Sequence, residues 1–352
     1  MRYVLLGDAQ SPHLLKWARA LAPRVELWVA SSRGFLPEFD ALVAPQRRLA
    51  LGTAADHAGG NWTVLKTLPQ LARWLKQVDA DVINAHYLTS HGTLAWLAKK
   101  FWHLPALLVA SAWGSDVLVT PARHPAYRWI TSQVLRSSLL STSDSQHMAE
   151  RMRDLGAREV LVFPFGLEAM PAMPATKEPW CFFANRGLEP IYRPQAVLHQ
   201  FAAIARERPQ ARLIVANDGS MRGAMEALAG ELGLAERTQF VGRLSAAAQA
   251  EQYGQAQWYL SLPESDSVAV SVLEAMAFGC IPMLSNLPAN HELVRHGENG
   301  LIAAPQVSAK ALDALLLRAP AIAKANRDWV REQGLFAPCI ERFLKSVKEY
   351  LP

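Results

Sequence analysis

This sequence predicts an α/β protein made of two parallel-sheet domains, and three observations point there. Short apolar runs alternate with helical patterns from one end to the other, as when crossover helices cover both faces of a parallel sheet. The alternation is interrupted once, by prolines at 171, 174 and 179. A chain of 352 residues also suits two domains better than one.

In the first half, YVLLG (3–7) is a strand, followed by a helix carrying Leu14, Leu15, Trp17 and Leu21. VELWVA (25–30), DVINAHY (81–87), ALLVASAWG (106–114), LLSTSD (139–144) and VLVFPFG (160–166) are further strands, with helices over 91–101 and 145–155. Residues 167–180 read as a linker, because proline fixes φ and removes a backbone donor. The strands then resume as WCFFANR (180–186), ARLIVANDG (211–219), TQFVGR (238–243), WYLSLP (258–263), IPMLS (281–285) and NGLIAA (299–304). Helices fall at 194–209, 221–233, 246–255 and 270–278. The stretch 307–350 is mostly helical, with Phe343, Leu344, Val347 and Leu351 at helical spacing. Two such sheets are expected to face each other across a ligand-binding cleft.

Composition narrows the class. Cys181, Cys280 and Cys339 are few and far apart, with neither a disulfide framework nor a zinc spacing, which predicts a reducing, cytoplasmic setting. The first apolar run is too short for a signal peptide, and none approaches the roughly 20 residues of a membrane span. Residues 1–170 hold 18 Lys+Arg against 13 Asp+Glu, whereas the rest of the chain is balanced. Seven of the ten His and eight of the eleven Trp also lie in that first part. A basic, Trp-rich half suits either an anionic membrane face met peripherally or a sugar acceptor; a solvated basic surface over a Trp-containing core explains it equally well.

The segment from Asp266 to Gly279, DSVAVSVLEAMAFG, carries the most chemistry. Two carboxylates, Asp266 and Glu274, stand eight apart around the entrance of a helix that stops at Gly279 and Pro282. That pairing suits one acid on sugar hydroxyls and the other on ribose hydroxyls; a core helix with two incidental acids is the plain alternative. Other ligand classes lack their signatures. The first loop, Gly7 to His13, has one Gly and a Pro where a dinucleotide fingerprint needs several glycines, and no phosphate-binding P-loop occurs. Asp79-Ala80-Asp81 is formally a metal-diphosphate motif, but it falls in a helix-to-strand turn with no supporting cluster. No metal, cofactor or nucleic acid is expected.

Several pieces occur in one order: FANRGLEPIYR, LIVANDGSMR, TQFVGRLS, SLPESDSVAVSVLEAMAFGCIPMLS and LPANHELVRHGENGLI. Together they resemble the donor half of a retaining GT-B glycosyltransferase of family 4. GDAQSPHLLKWARALA, DVINAHYLTSHGTLAWLAKK and LVASAWGSDVL resemble the N-terminal half of the same family, so the resemblance covers nearly the whole chain. It implies the GT-B fold, two Rossmann-like domains facing across a cleft. The N-terminal acceptor-side domain is 1–168, with a C-terminal helix in 332–352 crossing back onto it. The linker is 169–179, and the nucleotide-sugar domain is 180–331.

The resemblance also implies roles. Glu274 would bind the ribose hydroxyls. Asp266, where the family usually has Glu, would bind the donor sugar, and the shorter side chain bears on which sugar is taken. Glu264 lies ten residues from Glu274 and does not fit the spacing. Backbone N–H groups of Ser267, Val268, Ala269 and Val270 would meet diphosphate or sugar oxygens. With no metal, the diphosphate needs cations. Arg186 matches the family's arginine, but its lysine position is not reproduced: Tyr192 stands near it, with Arg193 as a substitute candidate or simply a surface residue at a helix start. Arg243, with Val241 and Gly242, would approach the base. In the first half, a loop reading HG-x-D in the family is Trp113-Gly114-Ser115-Asp116 here. Asp116 is retained as a catalytic candidate. Trp113 can stack on a sugar but cannot exchange a proton, which leaves His86 and His91 as polar alternatives. Either histidine could equally be structural. Ser11 and His13 lie in the first loop, and His124 and Arg128 are weaker candidates.

The implied reaction is retaining transfer of a hexosyl group from a nucleotide-diphosphate sugar, with a UDP-sugar favoured over a GDP-sugar, to a glycan, lipid-linked or other hydroxyl acceptor in cell-envelope polysaccharide or glycoconjugate synthesis. The departing phosphate would help remove the acceptor proton, so the protein chiefly orients reactants and stabilises charge. Domain closure would exclude water. The alternative is a catalytically inactive GT-B partner or nucleotide-sugar-binding protein. A changed reaction on the same fold, an epimerase or phosphorylase, ranks last.

Overall fold

The computed structural model describes residues 1–53, 62–173, 176–303 and 306–351. His57, together with residues 174, 175 and 304 of the predicted linker and last strand, lies outside the described residues. The chain divides into two compact units, Met1–Phe163 with Phe336–Pro352, and Pro164–Leu335.

Among the described residues, the first unit holds seven parallel strands: β1 (Arg2–Gly7), β2 (Glu26–Ser31), β3 (Arg48–Ala50), β4 (Val82–His86), β5 (Leu107–Ser111), β6 (Leu140–Ser143) and β7 (Val160–Val162). Their spatial order is β3-β2-β1-β4-β5-β6-β7. The order reverses between β1 and β4, so the loops leaving those strands diverge and open a crevice at their carboxyl ends. The core uses strands that are apolar on both faces; Val4, Leu6, Ile83, Ala85, Leu108 and Ala110 pack with helices Leu68–Val78 and Thr93–Trp102. Helix Phe336–Lys348 belongs to this unit. Its Phe336 and Phe343 rings lie 5.2 and 5.6 Å from Trp17 of helix Pro12–Leu21, and Arg24 pairs with Glu341 at 2.6 Å.

The second unit has, among its described residues, six parallel strands: β8 (Glu178–Ala184), β9 (Arg212–Ala216), β10 (Thr238–Gly242), β11 (Ala256–Ser261), β12 (Ile281–Ser285) and β13 (Leu301–Ala303). Their order is β10-β9-β8-β11-β12-β13, reversing between β8 and β11. Successive side chains enter opposite faces. Phe182 pairs in register with Trp258, and their rings stack at 5.9 Å on one face. Phe183 pairs with Tyr259 on the other face, against helix Val270–Ala277.

Local departures from the sequence pattern have local causes. The predicted helix over 91–101 begins at Thr93, after a wide π-type turn at Tyr87–Gly92. Tyr87 enters that turn at φ 65°, a conformation that costs a non-Gly residue energy. The strand over 160–166 ends at Val162, and Pro164, which has no N–H, follows closely. Strand β8 takes in Glu178 and Pro179 from the predicted linker. Lys177 just ahead of it donates to the carbonyls of Tyr253 and Ala256 at 2.7 and 2.8 Å. All three cysteines are buried and reduced.

Candidate functional site

At the reversal point of the second unit, β8 runs into Asn185 and Arg186, and β11 runs into the loop carrying Asp266. Arg186 Nη2 donates to Asp266 Oδ2 at 2.6 Å, and Nη1 to Ser271 Oγ at 3.2 Å. The guanidinium carbon lies 4.5 Å from the Tyr192 ring centroid. Tyr192 is held there because Glu264 N–H donates to the Ile191 carbonyl at 2.9 Å, tying the 190–193 turn to the loop after β11. Burial works against the charge on Arg186, and Asp266 with the neighbouring tyrosines outweighs it, so its pKa is raised. Burial also raises the Asp266 pKa against the pull of Arg186. Such a pair holds only when its remaining polar atoms find partners. Arg186 Nε is buried and has none among the described residues.

Glu274 lies one turn into helix Val270–Ala277 and is half-buried. Its Oε2 accepts from the Tyr253 hydroxyl at 3.0 Å and from Gln249 Nε2 at 3.4 Å. Asn185 Nδ2 donates to the same tyrosine oxygen at 2.9 Å, and Asn185 Oδ1 accepts from Tyr259 at 2.7 Å. Burial raises the Tyr253 pKa far above its ordinary value, so this hydroxyl stays a donor. Asn185, Tyr253, Tyr259 and Ser271 were not among the predicted site residues. The sequence signals for them are the place of Asn185 immediately before Arg186 and that of Ser271 between Asp266 and Glu274.

The backbone donors at the mouth of this helix are not equivalent. Ser267 N–H is taken by Asp266 Oδ1 at 3.0 Å. Val268, Ala269 and Val270 precede the first intrahelical donor, Val272, so the helix offers them no acceptor. Arg193 is exposed at φ 47° and opens helix Pro194–Glu207, which is the helix-start reading of that residue. Gly242 sits at φ 69°, its carbonyl accepting from Asn217 N–H at 2.6 Å, and Arg243 beside it is exposed.

In the first unit, His86 closes β4 and is 1% exposed. Its Nδ1 accepts the Trp113 indole N–H at 3.0 Å, and its Nε2 meets Asn84 Oδ1 at 2.8 Å. Both ring nitrogens are engaged, and burial drives the pKa well below the usual histidine value. Asp116 is 2% exposed and accepts the backbone N–H of Leu88 and of Trp113, both at 2.9 Å. It fastens the turn after β4 to the loop after β5, and burial raises its pKa against those hydrogen bonds. His91 Nδ1 lies 2.8 Å from the His86 carbonyl, and burial pushes its pKa down to about 4. Trp113 ends up between rings, 5.9 Å from Tyr87 and 4.9 Å from His13. Ser11 and His124 cap helices Pro12–Leu21 and Pro125–Ser137, and Arg128 is exposed. Asp79 and Asp81 are tied to Arg2, Asp79 by an ion pair and Asp81 through the backbone N–H.

Two family models match the chain, the 4-like glycosyl transferase domain over residues 9–166 and glycosyl transferases group 1 over residues 170–333. The Anabaena protein HepE, solved with UDP and glucose, superposes with a TM-score of 0.78 at 14% identity, covering 99% of this chain and 100% of that one. The chain is a GT-B-fold member of the glycosyltransferase superfamily. Among curated proteins, this GT-B chain is similar to N-acetyl-alpha-D-glucosaminyl L-malate synthase of Bacillus anthracis, at 21% identity over 66% of the chain. It is also similar to D-inositol 3-phosphate glycosyltransferase of Geodermatophilus obscurus, at 24% identity over 73% of the chain. It spans 64% and 63% of the lengths of those two relatives. In GT-B terms, Arg186, Asp266 and Glu274 all belong to the second unit, and His86, Trp113 and Asp116 to the first.

Proposed function

We propose that this protein is a retaining glycosyltransferase of the family-4 type. It moves a sugar from a UDP-sugar, in preference to a GDP-sugar, to a hydroxyl of a glycan or lipid-linked acceptor in cell-envelope polysaccharide or glycoconjugate synthesis. The observation that carries this reading is the contact of Arg186 with Asp266 and Ser271 at the start of helix Val270–Ala277, with Glu274 one turn further along the same helix. A guanidinium and a helix N-terminus there supply positive charge for a diphosphate without a metal. Glu274, steadied by Tyr253, offers a carboxylate to a pair of vicinal hydroxyls. The uridine preference is supported by HepE, whose structure holds UDP.

In this reading Arg186 and the first-turn N–H groups stabilise the departing diphosphate. Asp266 sets the direction of the guanidinium and reaches the donor sugar. Neither Trp113 nor the doubly hydrogen-bonded His86 is placed to take the acceptor proton. Same-face attack answers this, since the leaving phosphate oxygen itself receives that proton.

Purified protein incubated with UDP-sugars and a panel of hydroxyl acceptors should release UDP, and the product should keep the donor's anomeric configuration by NMR. Glu274→Ala should remove transfer while the protein stays folded, with only a modest fall in melting temperature from the lost Tyr253 hydrogen bond. Full turnover by that variant would refute the assignment. UDP binding without turnover across the whole panel would favour a nucleotide-sugar-binding partner, the reading that Trp113 in the loop motivates.

A further inference from the structure

Two large apolar side chains exposed among the described residues sit close together on the first unit. Phe101 of helix Thr93–Trp102 is 62% exposed, and Trp129 of helix Pro125–Ser137 is 57% exposed. A chain of contacts joins them. Trp129 meets Trp96 edge-on at 5.9 Å, and Lys100 Nζ lies 5.3 Å from the Trp96 ring centroid and 5.9 Å from that of Phe101. Arg123, His124 and Arg128, just before Trp129, are exposed as well.

The charge of this region is one-sided. Between residues 82 and 143 the basic residues are Lys99, Lys100, Arg123, Arg128 and Arg136, and the single acid is Asp116. Asp116 is buried, accepting two backbone N–H groups, and so adds no charge to the surface. Lys99 is turned onto the carbonyls of Leu104 and Ala106. Lys100, Arg123, Arg128 and Arg136 remain exposed.

Exposed apolar residues scattered singly are ordinary; a joined aromatic patch among cations is a contact surface. Tryptophan favours the membrane–water boundary, where its ring is buried and its N–H hydrated. Basic residues around it are drawn to anionic headgroups. A second copy of the chain presenting the same face is disfavoured, because two cationic ridges repel.

We propose that the ridge formed by Phe101, Trp129, Lys100 and Arg128 docks the protein on an anionic lipid surface, the two rings entering the headgroup layer and the cations meeting lipid phosphates. The proposal does not depend on the transfer chemistry above.

Flotation of the full-length protein with phosphatidylcholine vesicles, with and without phosphatidylglycerol, tests it. The wild type should float only with the anionic vesicles and less as salt rises. Lys100→Gln with Arg128→Gln should lower partitioning about 30-fold, at about fivefold per basic residue near the surface. Phe101→Ala with Trp129→Ala should also weaken binding, at unchanged charge. All four positions are exposed, so unchanged melting temperatures show that the variants are folded. Three results overturn the proposal: no flotation, equal flotation with neutral vesicles, or wild-type binding by either double variant. Oligonucleotide binding in place of vesicle binding, or self-association abolished by Trp129→Ala, also overturns it in favour of that other partner.

Discussion

Arg186 Nη2 donates to Asp266 Oδ2 across 2.6 Å, joining residues 80 apart in sequence. The carboxylate that the family resemblance gives to the donor sugar is thus also the partner that fixes the direction of the Arg186 guanidinium. On the proposed function, a longer glutamate at 266 would reach the guanidinium differently and change donor choice and cation placement together.

Arg186→Ala should weaken UDP binding by about 10- to 100-fold, the loss of charge-assisted hydrogen bonds worth about 1.5–3 kcal/mol. Asp266→Asn should behave oppositely in binding. It removes an anion beside the diphosphate site, so UDP affinity should hold or rise while turnover falls. Calorimetric titration with UDP beside a transfer assay separates the two. Parallel losses of UDP affinity in both variants would mean that the carboxylate's hold on the guanidinium outweighs its repulsion of the diphosphate.

Tyr253→Phe should cost about 1 kcal/mol of stability, because it takes a donor from Glu274 and a partner from Asn185. It should also reduce discrimination between UDP and 2′-deoxy-UDP. Comparing the affinities of both nucleotides in wild type and variant checks this, and unchanged discrimination would detach Tyr253 from the ribose grip.

Acidification should destabilise the first unit through His91. Its folded pKa is about 4, below the roughly 6.5 of an unfolded histidine. The native state therefore binds fewer protons across that window, and stability is full above pH about 6.5 and lost as pH falls toward 4. The loss amounts to about 3 kcal/mol. Urea unfolding midpoints at several pH values should show this slope, and His91→Gln should flatten it. An identical slope in the variant would assign the pH dependence to other groups, of which buried His86 is the first.

Gly219→Ala should destabilise the second unit by more than about 2 kcal/mol. An added Cβ would lie 2.4 Å from the Leu188 carbonyl oxygen, and that backbone cannot rotate away as a side chain can. Thermal denaturation provides the measurement; a melting temperature equal to wild type would mean that the 187–189 loop yields freely.

Much of the architecture was legible because burial on both faces of a parallel sheet writes itself as apolar runs at strand spacing. YVLLG, VINAH and WYLS are such runs, and each is a strand. Very short elements were not. Strand β3, Arg48-Leu49-Ala50, and helix Leu68–Val78 were passed over. Three residues cannot display a period; in the helix, Leu71, Ala72, Leu75 and Val78 do recur at helical spacing, so that element was legible and was missed. The turn at Tyr87–Gly92 was read as strand end and helix start, because no local residue preference announces a tyrosine at positive φ.

By itself the sequence determined the two sheets, the Asp266–Glu274 spacing around one helix entrance, and Arg186 at the end of a strand. Apolar runs and the spacing of residues along the chain are local properties, so these needed no long-range information. Only the tertiary structure decided that Arg186 meets Asp266, that Asn185 reaches Tyr253 68 residues away, and that Trp113 occupies a nitrogen of His86. Those meetings depend on which strands lie side by side. In a parallel sheet, crossovers bring carboxyl ends together whatever the intervening length, and no local pattern records which ends become neighbours.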